Sequence, residues 1–266
     1  MPQVLIQLIW RRRFSLLWWA LGILGADGLL AVAYPAVRDN TELDKTFAGL
    51  PLGVQAALGL QAGALTSPAG YLNSQYFANV LPILLLVFAV GLGAWCISGD
   101  EGGGTLELLL SNPVSRFRVS LERLGGLMVA LLALTAVAGL GLVALAPVTG
   151  LSRGLASDRI LEATVATGLL ALAFAAVAFS TGAATGSRGA AISVASVVAV
   201  ALFIIEGLAE QVKILRPVRE ASPWHWLLGT DPIRNGMLWE SWVLPLLVSA
   251  ALTLVGAFLF ARRDLR

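Results

Sequence analysis

The chain has 266 residues, of which 58% are hydrophobic and 13% are charged, and its net charge at neutral pH is +2. A typical soluble domain carries about 25% charged residues, so the composition excludes an ordinary soluble protein and indicates helices within a membrane. The small positive charge is explained by arginines beside apolar segments and requires no nucleic-acid partner. A single cysteine excludes an intrachain disulfide, and one cysteine with one histidine argues against a zinc site or Cys/His chemistry.

Residues 1–13 are partly apolar and end in Arg11, Arg12 and Arg13. We interpret them as an interfacial helix that lies along the inner leaflet and feeds into the first membrane span. This first span is predicted to stop before Pro35, because proline cannot continue the hydrogen bonds of a helix. The residues that follow, up to Pro68, are predicted to form an external loop with some helix.

Five further apolar runs are long enough to cross a bilayer. With the first, the predicted spans are 14–34, 77–97, 124–147, 160–185, 190–208 and 243–261. The sequence therefore predicts an all-α integral membrane protein with a single transmembrane domain. Six spans put both termini on one side, and arginines on that side are about twice as dense as on the other. We expect both termini to be cytoplasmic and the protein to cross the inner (plasma) membrane several times.

A polar hairpin, residues 98–123, separates the second and third spans and carries charges of both signs. Three glycines interrupt it, and a short helix with a capping threonine, an acidic first turn and a leucine face follows. The residues of this helix are Thr105, Leu106, Glu107, Leu109 and Leu110, with Pro113 ending it. We interpret it as an amphipathic helix of about two turns whose leucines occupy a hydrophobic groove of another protein.

The chain has no site for ATP. A P-loop requires the pattern G-x-x-x-x-G-K-[ST], in which backbone amides and a lysine surround the phosphates. The only lysines are Lys45 and Lys213, and neither follows a glycine. The GDEGGGT segment is rich in glycine but lacks the lysine, so we interpret it as a hinge.

Asp27 lies deep in the first span, about 20 Å along the helix from Phe14. An acidic side chain at this depth is costly and is a candidate functional residue. Two other interpretations remain open. Asp27 can be a protonated acid that hydrogen-bonds across a helix pair, or it can lie nearer the outer interface than the predicted boundary suggests.

Small residues recur in the third and fourth spans, where close helix contacts within the chain are the favoured interpretation. They are Gly139, Gly141, Gly182 and Gly186. In the fifth span, polar and aromatic side chains share a broad face, with an acid near its outer end. These residues, Ser193, Ser196, Phe203 and Glu206, either line a substrate path together with Asp27 or simply pack.

Residues 209–242 are too long for a simple connector and too apolar for a disordered one. The segments ILRPV and WHWLLG are each predicted to form a short helix that re-enters the outer leaflet under protein cover. The candidate outer gate in this region consists of Pro223, Trp224, His225 and Trp226. For His225 the alternative is an interfacial residue with a satisfied hydrogen bond.

The string DEGGGTLELLLSNPVSR resembles the coupling-helix segment of type-2 ABC exporter permeases. The N-terminal helix, the six spans and the long segment before the last span agree with this family, and SPWHWLLGTDPIRNG is similar to the corresponding segment of its bacterial drug and antibiotic exporters. Three consecutive glycines and a long first outer loop depart mildly from the family pattern.

The resemblance implies a machine of two permeases and two ATPase subunits, in which ATP and Mg²⁺ bind the ATPases and no cofactor binds this chain. The second permease would be another copy or a paralogue. The short helix of the hairpin would be the coupling helix, flanked by Asp100, Glu101 and Arg116. The second and fifth spans would line the cleft between the permeases.

The function expected from the resemblance is therefore that of a permease subunit. It would form half of a pathway that exports a hydrophobic drug, antibiotic or lipid, and it would not itself be an enzyme. The alternatives are a proton-coupled secondary transporter that uses Asp27 and a membrane anchor or scaffold. A membrane enzyme is disfavoured because no catalytic pair is present. The substrate, and whether the permeases are identical, stay open.

Overall fold

Apolar runs separated by polar turns produce an all-helical protein. The computed structural model describes residues 3–38, 40, 49–50, 66–101, 116–209 and 211–262, and these residues contain no strand. Six helical stretches among them are long and apolar enough to cross a membrane, namely Leu5–Arg38, Pro68–Gly99, Phe117–Thr149, Ser157–Thr185, Arg188–Leu208 and Trp239–Arg262. The predicted all-α class and number of membrane-spanning helices are confirmed.

The elements follow one another with short connections in the second half of the chain. They are α1 (Gln3–Arg38), α2 (Pro68–Tyr71), a π-helical segment (Leu72–Val80), α3 (Leu81–Glu101), α4 (Arg116–Thr149), α5 (Ser157–Thr185), α6 (Arg188–Leu208), a 3-10 turn (Lys213–Leu215), α7 (Arg216–Glu220), a π-helical turn (His225–Gly229), α8 (Pro232–Asn235) and α9 (Trp239–Arg262). The segment α2–π–α3 is continuous and forms the second span.

The first helix differs from its prediction at both ends. α1 is continuous over 36 residues, so it runs from the expected interfacial segment into the first span without a break, and the predicted stop before Pro35 is wrong. That residues 1–13 lie along the inner leaflet stays a prediction. Pro35 lies in the last turn, where its missing N–H removes one hydrogen bond shortly before the helix ends at Arg38. The helix is about 54 Å long and exceeds the hydrocarbon core, which is about 30 Å thick.

α5 is the central helix, and α3, α4, α6 and α9 all pack against it. The contact with α3 is closest at Gly93, where a Cβ atom would lie 2.6 Å from the carbonyl oxygen of Ala175. On α9, a Cβ at Gly256 would lie 2.8 Å from the Cα of Ser180. Small residues allow this approach because in lipid the helices associate through van der Waals packing.

The predicted small-residue contacts are largely present. Gly139, Gly141 and Gly182 each face a neighbouring helix at a distance that a Cβ atom would make tight. Gly186 has a different role, since it ends α5 as the C-cap with a positive φ of 70°. Its N–H donates to the carbonyl oxygen of Gly182 at 2.8 Å, which is how glycine commonly terminates a helix.

The helices alternate in direction, and several of their arginines gather at one end. The guanidinium of Arg12 on α1 stacks on the ring of Trp95 at the end of α3, 4.4 Å from the ring centroid. Arg123 on α4 contacts the same region of α3, and Arg188 begins α6. We call this the arginine end of the protein. At the opposite end, the Tyr71 hydroxyl donates to the carbonyl oxygen of Leu30 at 2.9 Å.

Candidate functional site: a cavity between α3 and α6

An apolar cavity of about 250 Å³ lies between the second span and α6, towards the end opposite the arginine end. Its walls come from three parts of the chain: the π-helical segment with α3, one face of α6, and the segment after α7. The lining residues are Ala78, Asn79, Pro82, Ile83, Leu86, Ala199, Val200, Phe203 and Trp224. Asn79 is the one polar side chain among these lining residues, so the cavity is suited to an apolar molecule.

Trp224 closes the cavity at one side and is held firmly in place. Its indole N–H donates to the carbonyl oxygen of Ala199 on α6 at 3.1 Å. Its ring packs against Phe203, with ring centroids 5.0 Å apart, and against Phe174 of α5 at 6.3 Å. The Ser222 hydroxyl accepts from the backbone N–H of Trp224 at 3.3 Å. Hydrogen bonds from its backbone N–H and its indole N–H, together with the packing of its ring, therefore hold Trp224 in place.

An ionic cluster beside Trp224 fastens the segment after α6 to the end of α6. The Oε1 atom of Glu206 accepts from Arg219 Nε at 3.0 Å and lies 3.2 Å from Nδ1 of His225. The opposite carboxylate oxygen, Oε2, is buried without a hydrogen-bond partner among the described residues. A side chain at Gly229 would collide with this cluster, since its Cβ would lie 2.7 Å from Glu206 Oε1.

The structure brings together residues that the sequence assigned to two separate groups. Phe203 and Glu206 from the predicted substrate path lie next to Trp224 and His225 from the predicted outer gate. Ser193 and Ser196 lie on the same exposed side of α6, nearer its start.

The other two predicted gate residues are placed differently. Pro223 is half-buried next to Trp224. Trp226 points elsewhere, because its indole N–H donates to the carbonyl oxygen of Glu220 and its own carbonyl accepts from Ser241 of α9. Short helices are present where ILRPV and WHWLLG predicted them.

Asp27 is not part of this group. It is fully buried in α1 and accepts a hydrogen bond at Oδ1 from the hydroxyl of Tyr76 in the π-helical segment. Its Oδ2 has no partner among the described residues and faces α4, where a Cβ at Gly141 would lie 2.7 Å away. Of the interpretations left open by the sequence, this geometry matches a carboxyl group bonded across a helix pair.

Most of the predicted coupling helix lies outside the described residues. This applies to Thr105, Leu106, Glu107, Leu109, Leu110 and Pro113. The backbone of Asp100 and Glu101 ends α3 and that of Arg116 begins α4, while their side chains also lie outside the described part. The hairpin thus leaves and rejoins the protein at the arginine end.

The contact between Arg123 and Cys96, which joins α3 and α4 where the hairpin begins and ends, was not predicted from the sequence. Arg123, the last residue of the predicted hairpin, is 3% exposed and donates to the carbonyl oxygen of Cys96. The thiol of Cys96 in turn lies 3.8 Å from the carbonyl oxygen of Arg123. One signal was available, because Arg123 lies three or four residues from the buried Val119, Ser120 and Leu127 and so shares their helix face.

A comparison with protein-family models matches residues 8–265 to the ABC-2 family transporter proteins. The chain belongs to the ABC-2 transporter family. A comparison with curated proteins finds no similar sequence. As an ABC-2 permease it is a multi-pass membrane component of a transporter, and membership implies an ATPase partner. Among the described residues of this ABC-2 permease, no group of three His, Cys, Asp or Glu side chains is placed to hold a metal ion.

Proposed function

We propose that this ABC-2 permease exports a hydrophobic small molecule (a drug, an antibiotic or a lipid) and that the cavity between α3 and α6 is part of its path. The observation that carries the proposal is the cavity itself, whose volume of about 250 Å³ is bounded almost wholly by apolar side chains. Apolar ligands gain free energy from such a pocket in proportion to the area removed from water.

The cavity opens on a surface that the described part of the chain leaves exposed. Val197, Val200 and Ile204 on α6 and Ile83 on α3 are all more than half exposed. A second permease, identical or paralogous, would cover this surface and complete the pathway. The ionic cluster of Glu206, Arg219 and His225 would then hold Trp224 at the outer opening, with the segment 209–242 re-entering the outer leaflet.

Energy would reach the pathway through the hairpin at the arginine end. The coupling helix of each of the two permeases would dock its leucines in a groove on an ATPase subunit. Both termini of the chain would be cytoplasmic. ATP and Mg²⁺ would bind the two ATPases. The buried Arg123–Cys96 contact at the hairpin base supports this role, because it joins α3 and α4 into one unit that moves with the hairpin.

Coupling is tested with the permease and its ATPase partner, identified by co-purification and reconstituted in vesicles. Glu107→Arg or Leu109→Asp is expected to abolish ATP-driven export while membrane insertion stays normal. Each replaces a group that would contact the ATPase, by reversing a charge or by putting a carboxylate in an apolar groove. Unchanged export in both variants would contradict the proposal.

The path is tested separately with Val200→Trp, which fills the cavity. We expect this variant to lose transport of hydrophobic dyes while it still inserts and still binds the ATPase. The matched control is Val255→Trp on α9, since Val255 has nearly the same exposure, 55% against 57%, but does not line the cavity. Equal losses of transport in the two variants would remove the cavity from the path.

A proton-coupled transporter is the second candidate, and the burial of Asp27 is the observation that favours it. Such a mechanism needs a second buried acid or base, besides Asp27, on a facing span. Among the described residues the other buried charged side chains are Arg123 and Asp231. Arg123 contacts Cys96, some 30 Å along the second span from Tyr76, and Asp231 lies outside the spans. Export that continues in Asp27→Asn without a proton gradient would exclude this alternative.

A further inference from the structure

A second cavity, of about 160 Å³, lies at the arginine end between α1, α3 and α4. One part of its wall is apolar and includes Leu16, Trp19 and Phe88. Val87, also in the wall, is 59% exposed, so the cavity opens sideways to the surroundings of the bundle. In a membrane those surroundings are lipid.

The other part of the wall is cationic. Arg12 from α1 and Arg188 from the first turn of α6 both line the cavity, together with Ser15. Arg12 is oriented by its stacking on Trp95, and guanidinium groups match the geometry of phosphate oxygens. The cavity therefore joins a positively charged end to an apolar side that faces lipid.

We propose that this cavity binds an anionic phospholipid from the leaflet at the arginine end. The phosphate lies between Arg12 and Arg188 and accepts a hydrogen bond from Ser15. One acyl chain runs along Leu16, Trp19 and Phe88, and the rest of the lipid stays in the bilayer. Basic pockets between membrane helices bind anionic head groups in this way.

This site is distinct from the proposed export path. It lies at the opposite end of the bundle from Trp224, and the two cavities share no lining residue. Among the described residues α1 packs mainly on α4, whereas α6 packs mainly on α5 and α3, so the bound lipid would bridge α1 to α6. The proposal depends neither on the transported substrate nor on the ATPase partner.

The charge requirement is tested by native mass spectrometry of the full-length chain with equal amounts of phosphatidylglycerol and phosphatidylcholine. We expect the wild type to retain phosphatidylglycerol preferentially. Arg188→Gln should lower the retained phosphatidylglycerol about fivefold, because one arginine near a membrane surface contributes that factor. Arg262→Gln is the matched control, since Arg262 ends α9 and stacks on Phe258 instead of lining the cavity.

The apolar requirement is tested with Gly91→Leu. A Cβ at Gly91 meets no atom within 4 Å, and Gly91 lines the cavity. Leucine therefore fills the acyl-chain position without a backbone clash, and it is a better helix former than glycine. We expect this variant to lose phosphatidylglycerol although its charge is unchanged. Gly25→Leu on α1 is the control, because a side chain there is equally unobstructed and lies outside the cavity.

The outcomes of these two tests distinguish a cavity that binds a phospholipid from one that binds a free anion. Loss of phosphatidylglycerol in Arg188→Gln and Gly91→Leu but in neither control supports the proposal. If Arg188→Gln and Arg262→Gln lose equal amounts, the effect is one of overall charge and the site is refuted. If Gly91→Leu retains the lipid, or inorganic phosphate displaces it, the cavity binds a phosphate group alone and the phospholipid proposal is wrong.

Discussion

A close contact between the backbones of two helices predicts what one added methyl group does to stability. Gly93 of α3 faces the backbone of α5, and a Cβ there would lie 2.6 Å from the carbonyl oxygen of Ala175. Carbon and oxygen atoms in such contacts normally stay about 3.3–3.6 Å apart. Gly93→Ala therefore forces α3 and α5 apart by several tenths of an ångström or more, and neither backbone can rotate away as a side chain would.

The magnitude follows from a comparison with Gly91, two residues earlier in the same helix. At Gly91 a Cβ meets nothing within 4 Å, so Gly91→Ala changes helix propensity alone, a gain of up to about 1 kcal/mol. Gly93→Ala has the same propensity gain but also the cost of overpacking, about 1–3 kcal/mol. The free energy of unfolding is thus expected to differ by about 1–3 kcal/mol between the two variants, with Gly93→Ala the less stable.

The assay is thermal unfolding of both variants in one detergent at one heating rate, because membrane proteins often unfold irreversibly and the midpoint then depends on the rate. A difference of 1–3 kcal/mol corresponds to about 2–12 °C for a chain of this size. If Gly93→Ala melts at the same temperature as Gly91→Ala, or above it, the close contact between α3 and α5 is refuted.

Two further predictions concern buried acids. Tyr76→Phe removes the hydroxyl that donates to Asp27, leaves the carboxyl group without that partner and should cost about 1–3 kcal/mol. Tyr34→Phe, which removes a part-buried hydrogen bond to the carbonyl oxygen of Thr66, is the control and should cost less. For Asp231, burial raises the pKa above its ordinary value although Arg234 acts in the opposite direction. The folded state therefore holds the proton more tightly than the unfolded state, so stability falls as the pH rises above the ordinary pKa of the carboxyl. Asp231→Asn should remove this loss, because asparagine stays neutral and tolerates the positive φ of 52° at this position. The gain in melting temperature over the wild type should grow as the pH rises, and a gain that shrinks would contradict the assignment.

The spans were predictable because each depends on a local property. A run of about 20 apolar residues is long enough to cross a bilayer wherever its neighbours lie, and the helices found contain all six predicted runs. Boundaries were less predictable. Pro35 falls in a last turn that tolerates it, and the absence of a breaker near residue 13 lets α1 begin at Gln3.

Parts of the candidate site were predictable residue by residue but not as an arrangement. Phe203 and Trp224 were both identified as candidates, yet 21 positions separate them in the sequence. Their ring contact exists because the segment after α6 folds back and Glu206 binds Arg219 and His225 there. Likewise, Asp27 was identified from the cost of a buried acid, whereas nothing local pointed to Tyr76, 49 residues away.

The sequence by itself determined that the chain has six runs long and apolar enough to cross a membrane, with a polar hairpin between the second and the third, because hydrophobic length and charge act segment by segment. Only the tertiary structure decided which faces of the helices are buried. In lipid, apolar residues are accommodated on every side of a helix, so the spacing of apolar residues along the sequence does not show which face packs against other helices. Close backbone contacts such as Gly93 with Ala175 mark it instead.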